Sequence, residues 1–206
     1  MPKQPPVTAA ELAARLRADP EFVARQQEQE QARAERSPLL RAEQEPMLAD
    51  LRTIGLEVNS VWDLVNTSSN YDEAIPTLLK HLKLPYSDRT REGIARALAV
   101  PQAKYAWPDL VLEYHKAPMG EENGIRLGAK DGLAVALATT ATDAHMEELA
   151  ALAKDPKHGD SRLLLLRGLR KSKSPTTRLA LKELAFDPAL AKEIASWEKK
   201  KKKKKN

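Results

Sequence analysis

The 206-residue chain has no cysteine, 4% aromatic residues with only two phenylalanines, and eight glycines, none before Gly55. Without cysteine there is no disulfide framework, no thiolate metal centre and no cysteine nucleophile. That composition suits a reducing compartment, so a cytoplasmic location is the expectation. Few aromatic residues and few glycines weigh against a strand-and-turn protein. No apolar run approaches the ~20 residues needed to cross a bilayer. The opening residues MPKQPPVTAAELAARL lack the apolar core and cleavage site of a secretory signal.

Net positive charge outside the C-terminal run is missing as well. The formal charge is +5, yet residues 199–205 are seven consecutive lysines, so everything else sums to −2. Such a block repels itself and favours a solvated, disordered tail over residues 199–206. It can act as a solubilising tail, or it can touch nucleic acid or another polyanion without reading a sequence.

What the chain does contain is helix. Thr8 and Glu11 form a capping-box pattern ahead of Leu12 and Leu16. Residues 21–36, EFVARQQEQEQARAER, favour helix but offer nothing apolar between Ala24 and Ala32. Pro38 and Pro46 predict interruptions. Residues 1–45 therefore read as a partly mobile helical arm with Leu12, Leu16, Phe22 and Val23 as its apolar contacts. Regular amphipathic packing starts near Pro46. Leu48, Leu51 and Ile54 recur at helical spacing up to Gly55, Ser60 can cap a second helix, and Ala74, Ile75, Leu78, Leu79 and Leu82 form a broad stripe.

Self-similarity is the strongest signal from Tyr71 onward. Residues 90–99, 125–134 and 161–170 align on Arg91, Arg126 and Arg162, at separations of 35 and 36, each followed by a small residue and leucine: Ala97-Leu98, Gly132-Leu133 and Gly168-Leu169. A partner helix lies upstream of each, at 72–82, 107–114 and 144–153. A period near 35 with two helices per unit predicts an all-α chain, an α-solenoid over residues 46–198, in which each hairpin buries its stripe only against its neighbours. Gly93, Ala97, Gly128, Gly132 and Gly168 are the expected points of close helix approach. Ser174-Pro175 and Asp187-Pro188 open a last, atypical pair that reads as a C-terminal cap.

Residues 74–99, AIPTLLKHLKLPYSDRTREGIARALA, resemble a HEAT repeat: a first helix of pattern A-I-P-x-L-L-x-x-L, a Pro/Asp turn, then R-x-x-x-A-x-A-L-A. The resemblance covers residues 71–169. Asp88 has no clear counterpart in the next unit, and Lys130 stands where a small residue is expected. HEAT-like architecture implies that second helices line an inner, concave face. On that basis Arg89, Glu92, Arg96, Lys130, Asp131, Arg167, Arg170 and Lys171 are the candidate protein-binding residues. Arg91, Arg126 and Arg162, one per period, read as a structural ladder with neighbouring acids.

No catalytic pattern emerges. His81, His115, His145 and His158 lack the close spacing of a helical metal pair, Gly159-Asp160-Ser161 is no nucleophile elbow, and Gly120 to Gly128 has neither a preceding strand nor a following Lys-Ser/Thr; that stretch reads as a flexible loop. Asp109 and Glu113 lie one helical turn apart, as an ordinary solvated face also provides. Some HEAT-like DNA glycosylases combine aromatic and acidic residues, as Trp107 and Asp109 would, but on a basic surface that this chain lacks. The sequence thus predicts a non-enzymatic module, without cofactor or metal, that holds another protein on its second-helix face, such as an inhibitor or immunity-type partner. Nucleic-acid or anionic-surface binding through the basic C-terminal region is the alternative.

Overall fold

The computed structural model describes residues 7–203; residues 1–6 and 204–206, and the side chains at 29, 32, 33 and 198–203, lie outside the described residues. The structure is mostly helical, and the chain divides into two compact units, Met1–Glu43 and Gln44–Asn206.

In the first unit, α1 (Ala9–Ala18) starts at the expected capping box. The Glu11 amide donates to the Thr8 hydroxyl at 3.3 Å and the Thr8 amide to the Glu11 carboxylate at 2.9 Å. This helix buries no residue. Helix α2 (Pro20–Thr53) then runs through both Pro38 and Pro46, where the sequence predicts breaks. Each proline removes one backbone donor, but Pro38, Pro46 and the residues four before them, Ala34 and Ala42, are all exposed, so the freed carbonyls reach water.

The second unit proceeds as α3 (Val61–Asn66), α4 (Ile75–Leu82), α5 (Asp88–Ala97), α6 (Trp107–Lys116), α7 (Ala129–Thr140), α8 (Met146–Lys154), α9 (Arg162–Lys171), α10 (Pro175–Leu184) and α11 (Ala191–Lys203). Short 3-10 turns at Asp72–Ala74, Pro101–Ala106 and Asp143–His145 lead into α4, α6 and α8, and a fourth, Pro156–Ser161, leads into α9. Helix α11 extends to Lys203, past residue 199 where the sequence predicts the tail to begin; the rest of the lysine run lies outside the described residues. The stretch expected as a loop is a small hairpin of β1 (Glu121–Glu122) and β2 (Ile125–Arg126), with Glu121 opposite Arg126. Asn123 and Gly124 both have positive φ, 52° and 73°, the backbone demanded by the tightest hairpin turns and favoured by Asn-Gly.

Packing follows the hairpin order. Helices α3, α5, α7 and α9 contact one another in sequence, while α4 packs on α5, α6 on α7, α8 on α9, and α10 on α8 and α9. Leu78, Leu82, Ile94, Leu98, Leu110, Leu133, Leu137, Leu149, Leu165 and Leu166 are fully buried in one continuous apolar cluster. Each such side chain contributes roughly 1.5–3 kcal/mol. Glycines set the spacing between the second helices. A Cβ on Gly132 would stand 3.0 Å from the Glu92 carbonyl oxygen of α5, and one on Gly168 would stand 3.0 Å from Ala138 Cα and 3.1 Å from its oxygen on α7. On α5, Gly93 instead faces the side chains of Val61 and Trp62.

Polar side chains lock one element to the next. The Asp88 carboxylate, at the start of α5, accepts the amides of Gly128 (2.6 Å) and Ala129 (3.1 Å) and so caps α7. Gln44 Oε1 accepts the Val61 amide at 3.0 Å at the start of α3. The three periodic arginines each meet an acid: Arg91 with Glu113 at 2.7 Å, Arg126 with Asp131 at 2.9 Å and Arg162 with Asp187 at 2.5 Å. They are not equivalent, however. Arg91 and Arg162 sit in α5 and α9 and bind across elements, whereas Arg126 lies in β2, outside α7.

Candidate functional site

The eight sequence-predicted residues separate into three environments. The first is a connected ionic network across α5 and α7. Glu92, largely covered, receives Arg89 Nη1 at 2.7 Å and Arg96 Nε at 2.8 Å. The Arg89 guanidinium also lies 3.8 Å over the Trp62 ring, a cation–π contact that fixes its direction. Arg96 and Glu92 both act electrostatically on Asp131, which is bonded to Arg126. Burial pushes the Asp131 carboxyl above its ordinary range; Arg126 and Arg96 oppose that shift, and Glu92 and Asp160 add to it. Arg89, Glu92, Arg96 and Asp131 are thus brought together, and Arg126, assigned to a purely structural ladder by its period, belongs with them.

Lys130 requires a correction. It does not project from a polar face: its ammonium is buried, donates to the carbonyls of Tyr114 (2.8 Å) and Ala117 (3.0 Å), and lies 4.7 Å from the Tyr114 ring. Those carbonyls end α6, so Lys130 caps the first helix of its own hairpin with a positive charge at the negative helix end. Burial lowers its pKa. In the sequence Lys130 stands out only as a departure from a small-residue position, and the fold shows which carbonyls it reaches.

Arg167, Arg170 and Lys171 form the third environment, exposed on α9. Arg170 lies 4.9 Å from the Trp197 ring of α11.

Beside the α5–α7 network is a recess of about 370 Å³, with Glu121, Arg126, Lys130, Asp131, Asp160 and Ser161 in its lining. Ser161 of that lining is itself buried. The Tyr114 and Ser161 hydroxyls meet at 2.7 Å, and burial pushes the Tyr114 phenol up to about 12. Behind Tyr114 the His158 ring is buried with neither nitrogen hydrogen-bonded. Burial, then Lys130, lowers its pKa, with Asp155 opposing and His115 and Arg162 adding.

The residues considered for acid–base work are otherwise engaged. Asp109 pairs with Lys83 at 2.8 Å, and buried Glu113 with Arg91 and Lys116. Trp107 stacks on His145 at 4.2 Å and donates its indole N–H to Glu148 at 2.6 Å. Sequence spacing missed a carboxylate–imidazole–phenol chain: His81 bonds Asp50 through Nε2 at 2.9 Å and the Tyr86 hydroxyl through Nδ1 at 2.7 Å, and Lys80 also binds Asp50. It ties the end of α2 to α4. Among the described residues no group of three His, Asp or Glu is arranged to hold a metal, and no helix is long and apolar enough to cross a membrane.

In comparisons with known proteins, no family model, no curated protein and no solved structure matches this chain.

Proposed function

We propose that the second unit is a HEAT-like α-solenoid that holds another protein on the face formed by its second helices, and that it acts as a binding module with no catalytic step. The observation that carries this reading is the ionic network Arg89–Glu92–Arg96 with Asp131 and Arg126, set beside a recess wide enough for a partner side chain. Mixed charges at short range favour a partner with a complementary mixed pattern over a uniformly negative phosphate chain. Arg89 and Arg126 are the open members, with more than half of each side chain exposed. They are therefore the first to meet a partner.

The solenoid part of the reading is supported by consecutive contact of α3, α5, α7 and α9 and by glycines at the α5–α7 and α7–α9 crossings. Affinity capture with the full chain, compared with the variant R89E/R126E, tests the binding part. The expected result is one stoichiometric protein held by the wild type and lost by the variant with folding intact. Equal capture by both, or no stoichiometric protein at all, overturns it.

A further inference from the structure

Charge is divided unevenly along this chain. Residues 163–206 hold 14 Lys and Arg against 4 Asp and Glu, a net +10, so residues 1–162 carry a net −5. Pairing sharpens the division. Exposed Lys104 and Lys157, like Arg15, Arg17, Arg25, Arg36 and Arg41 of the first unit, form no ion pair among the described residues, but within the second unit Lys80, Lys83, Arg89, Arg91, Arg96 and Lys116 all have a carboxylate partner. By contrast Arg167, Arg170, Lys171, Lys173, Arg178 and Lys182 are exposed, and none forms an ion pair among the described residues. The acids nearest in sequence are already committed: Glu183 to Lys154 and Asp187 to Arg162.

Topology gathers these cations at one end of the unit. Helix α9 ends at Lys171 and α10 begins at Pro175, so Arg170, Lys171, Lys173 and Arg178 flank a single turn. That turn is ordered by Ser172, whose hydroxyl receives the Ser174 amide at 3.1 Å and the Thr177 hydroxyl at 3.3 Å. Arg170 overlies Trp197, and the lysine run begins two residues after that tryptophan. A fixed cluster therefore adjoins the start of the run.

From this juxtaposition we infer that the α9–α10 turn is a nucleic-acid backbone site, separate from the α5–α7 network, at which the folded cations themselves contact phosphates and the lysine run only adds charge. Unpaired cations within a few residues of one another suit closely spaced phosphodiesters, and the logarithm of the affinity they confer falls linearly with log salt. A lipid surface is the less fitting partner, because stable membrane attachment needs an apolar second signal. Trp197 is buried beneath Arg170, exposed Phe186 lies at the far end of α10 from the cluster, and beside Arg178 stands a single exposed leucine, Leu179, too little apolar surface for such a signal.

The test uses the full chain with Lys199 to Lys205 replaced by serine, alone and combined with K171Q/K173Q/R178Q, which spares the Arg170–Trp197 contact. Binding of a labelled oligothymidylate of about 30 nucleotides is measured by anisotropy between about 50 and 300 mM salt, with circular dichroism checking the fold. The serine-tailed chain is expected to bind. The triple substitution should lower the log K against log salt slope by about 2, at ~0.7 per lost single-strand contact, and weaken binding about 100-fold near 0.1 M salt. No binding by the serine-tailed chain, or an unchanged slope in the triple variant, overturns the site. Equal affinity for polyglutamate, or binding to phosphatidylserine vesicles in place of the strand, overturns its assignment to nucleic acid.

Discussion

Substituting Gly168 with alanine sets two opposed effects against each other. Alanine in a helix interior is favoured over glycine by about 1 kcal/mol, so an open position would gain stability. At Gly168 the added carbon would stand 2.7 Å from Leu149 Cδ2, 3.0 Å from Ala138 Cα and 3.1 Å from Ala138 oxygen. The leucine tip can swing away, but the α7 backbone cannot, so α9 must lift from α7. Overpacking of this kind costs roughly 1–3 kcal/mol. The net expectation for Gly168→Ala is a loss of about 0–2 kcal/mol, and Gly168→Leu should lose more. Gly132, against the Glu92 carbonyl at 3.0 Å, tests the α5–α7 crossing in the same way. Because the two glycines serve different crossings, their effects should add within about 0.5 kcal/mol. Thermal melts followed at 222 nm provide the assay, with roughly 2–4 °C expected per kcal/mol for a unit of this size. A higher melting temperature for both alanine variants, matching the bare helix-propensity gain, would refute close approach as the reason for these glycines.

Three further outcomes follow from single contacts. Asp88→Ala removes the cap on the Gly128 and Ala129 amides and should cost about 0.5–2 kcal/mol in urea unfolding; an unchanged midpoint would exclude capping as its role. Lys130→Met leaves the buried Tyr114 and Ala117 carbonyls without their donor and should cost about 1–3 kcal/mol, measured in the same way. A stability gain there would mean that burying the charge outweighs its hydrogen bonds. His158 has a folded pKa below its ordinary 6.5, so the unfolded chain binds its proton first. Its contribution is complete above about pH 6.5 and is lost as pH falls from there towards the folded pKa. The melting temperature should drop over that window and drop less in His158→Phe, whereas parallel curves for the two proteins would exclude it.

The helices were legible because their signals are local. The stripe of Ile75, Leu78, Leu79 and Leu82, the Thr8 and Ser60 caps and the Pro175 start all act within a few residues, and each has its place in the structure. Two of the small-then-Leu pairs, Gly132-Leu133 and Gly168-Leu169, likewise stand where α7 meets α5 and α9 meets α7 closely. The misses are cases in which distant chain decides. Arg126 matches the period by residue type, but Asn123-Gly124 turns its segment into a hairpin, a short-range signal that the repeat alignment concealed. Pro38 and Pro46 would break a buried helix and do not break one that is exposed where each proline removes a donor. Of the candidate residues, the repeat alignment picked Arg89, Glu92, Arg96 and Asp131 as polar positions of the second helices, and these four lie together. It could not separate Lys130, whose length lets it reach back to the end of α6, from a surface lysine. Nor could it distinguish paired cations from the unpaired ones of α9, since pairing depends on which helix lies alongside.

The most direct measurement is size-exclusion chromatography with native mass spectrometry on complexes captured by the full chain and by R89E/R126E. The wild-type chain is expected to give a complex of defined stoichiometry containing one other protein, and the variant free chain alone at an unchanged melting temperature. An equally abundant complex with the variant would contradict the claim that the charged face of α5 and α7 does the holding.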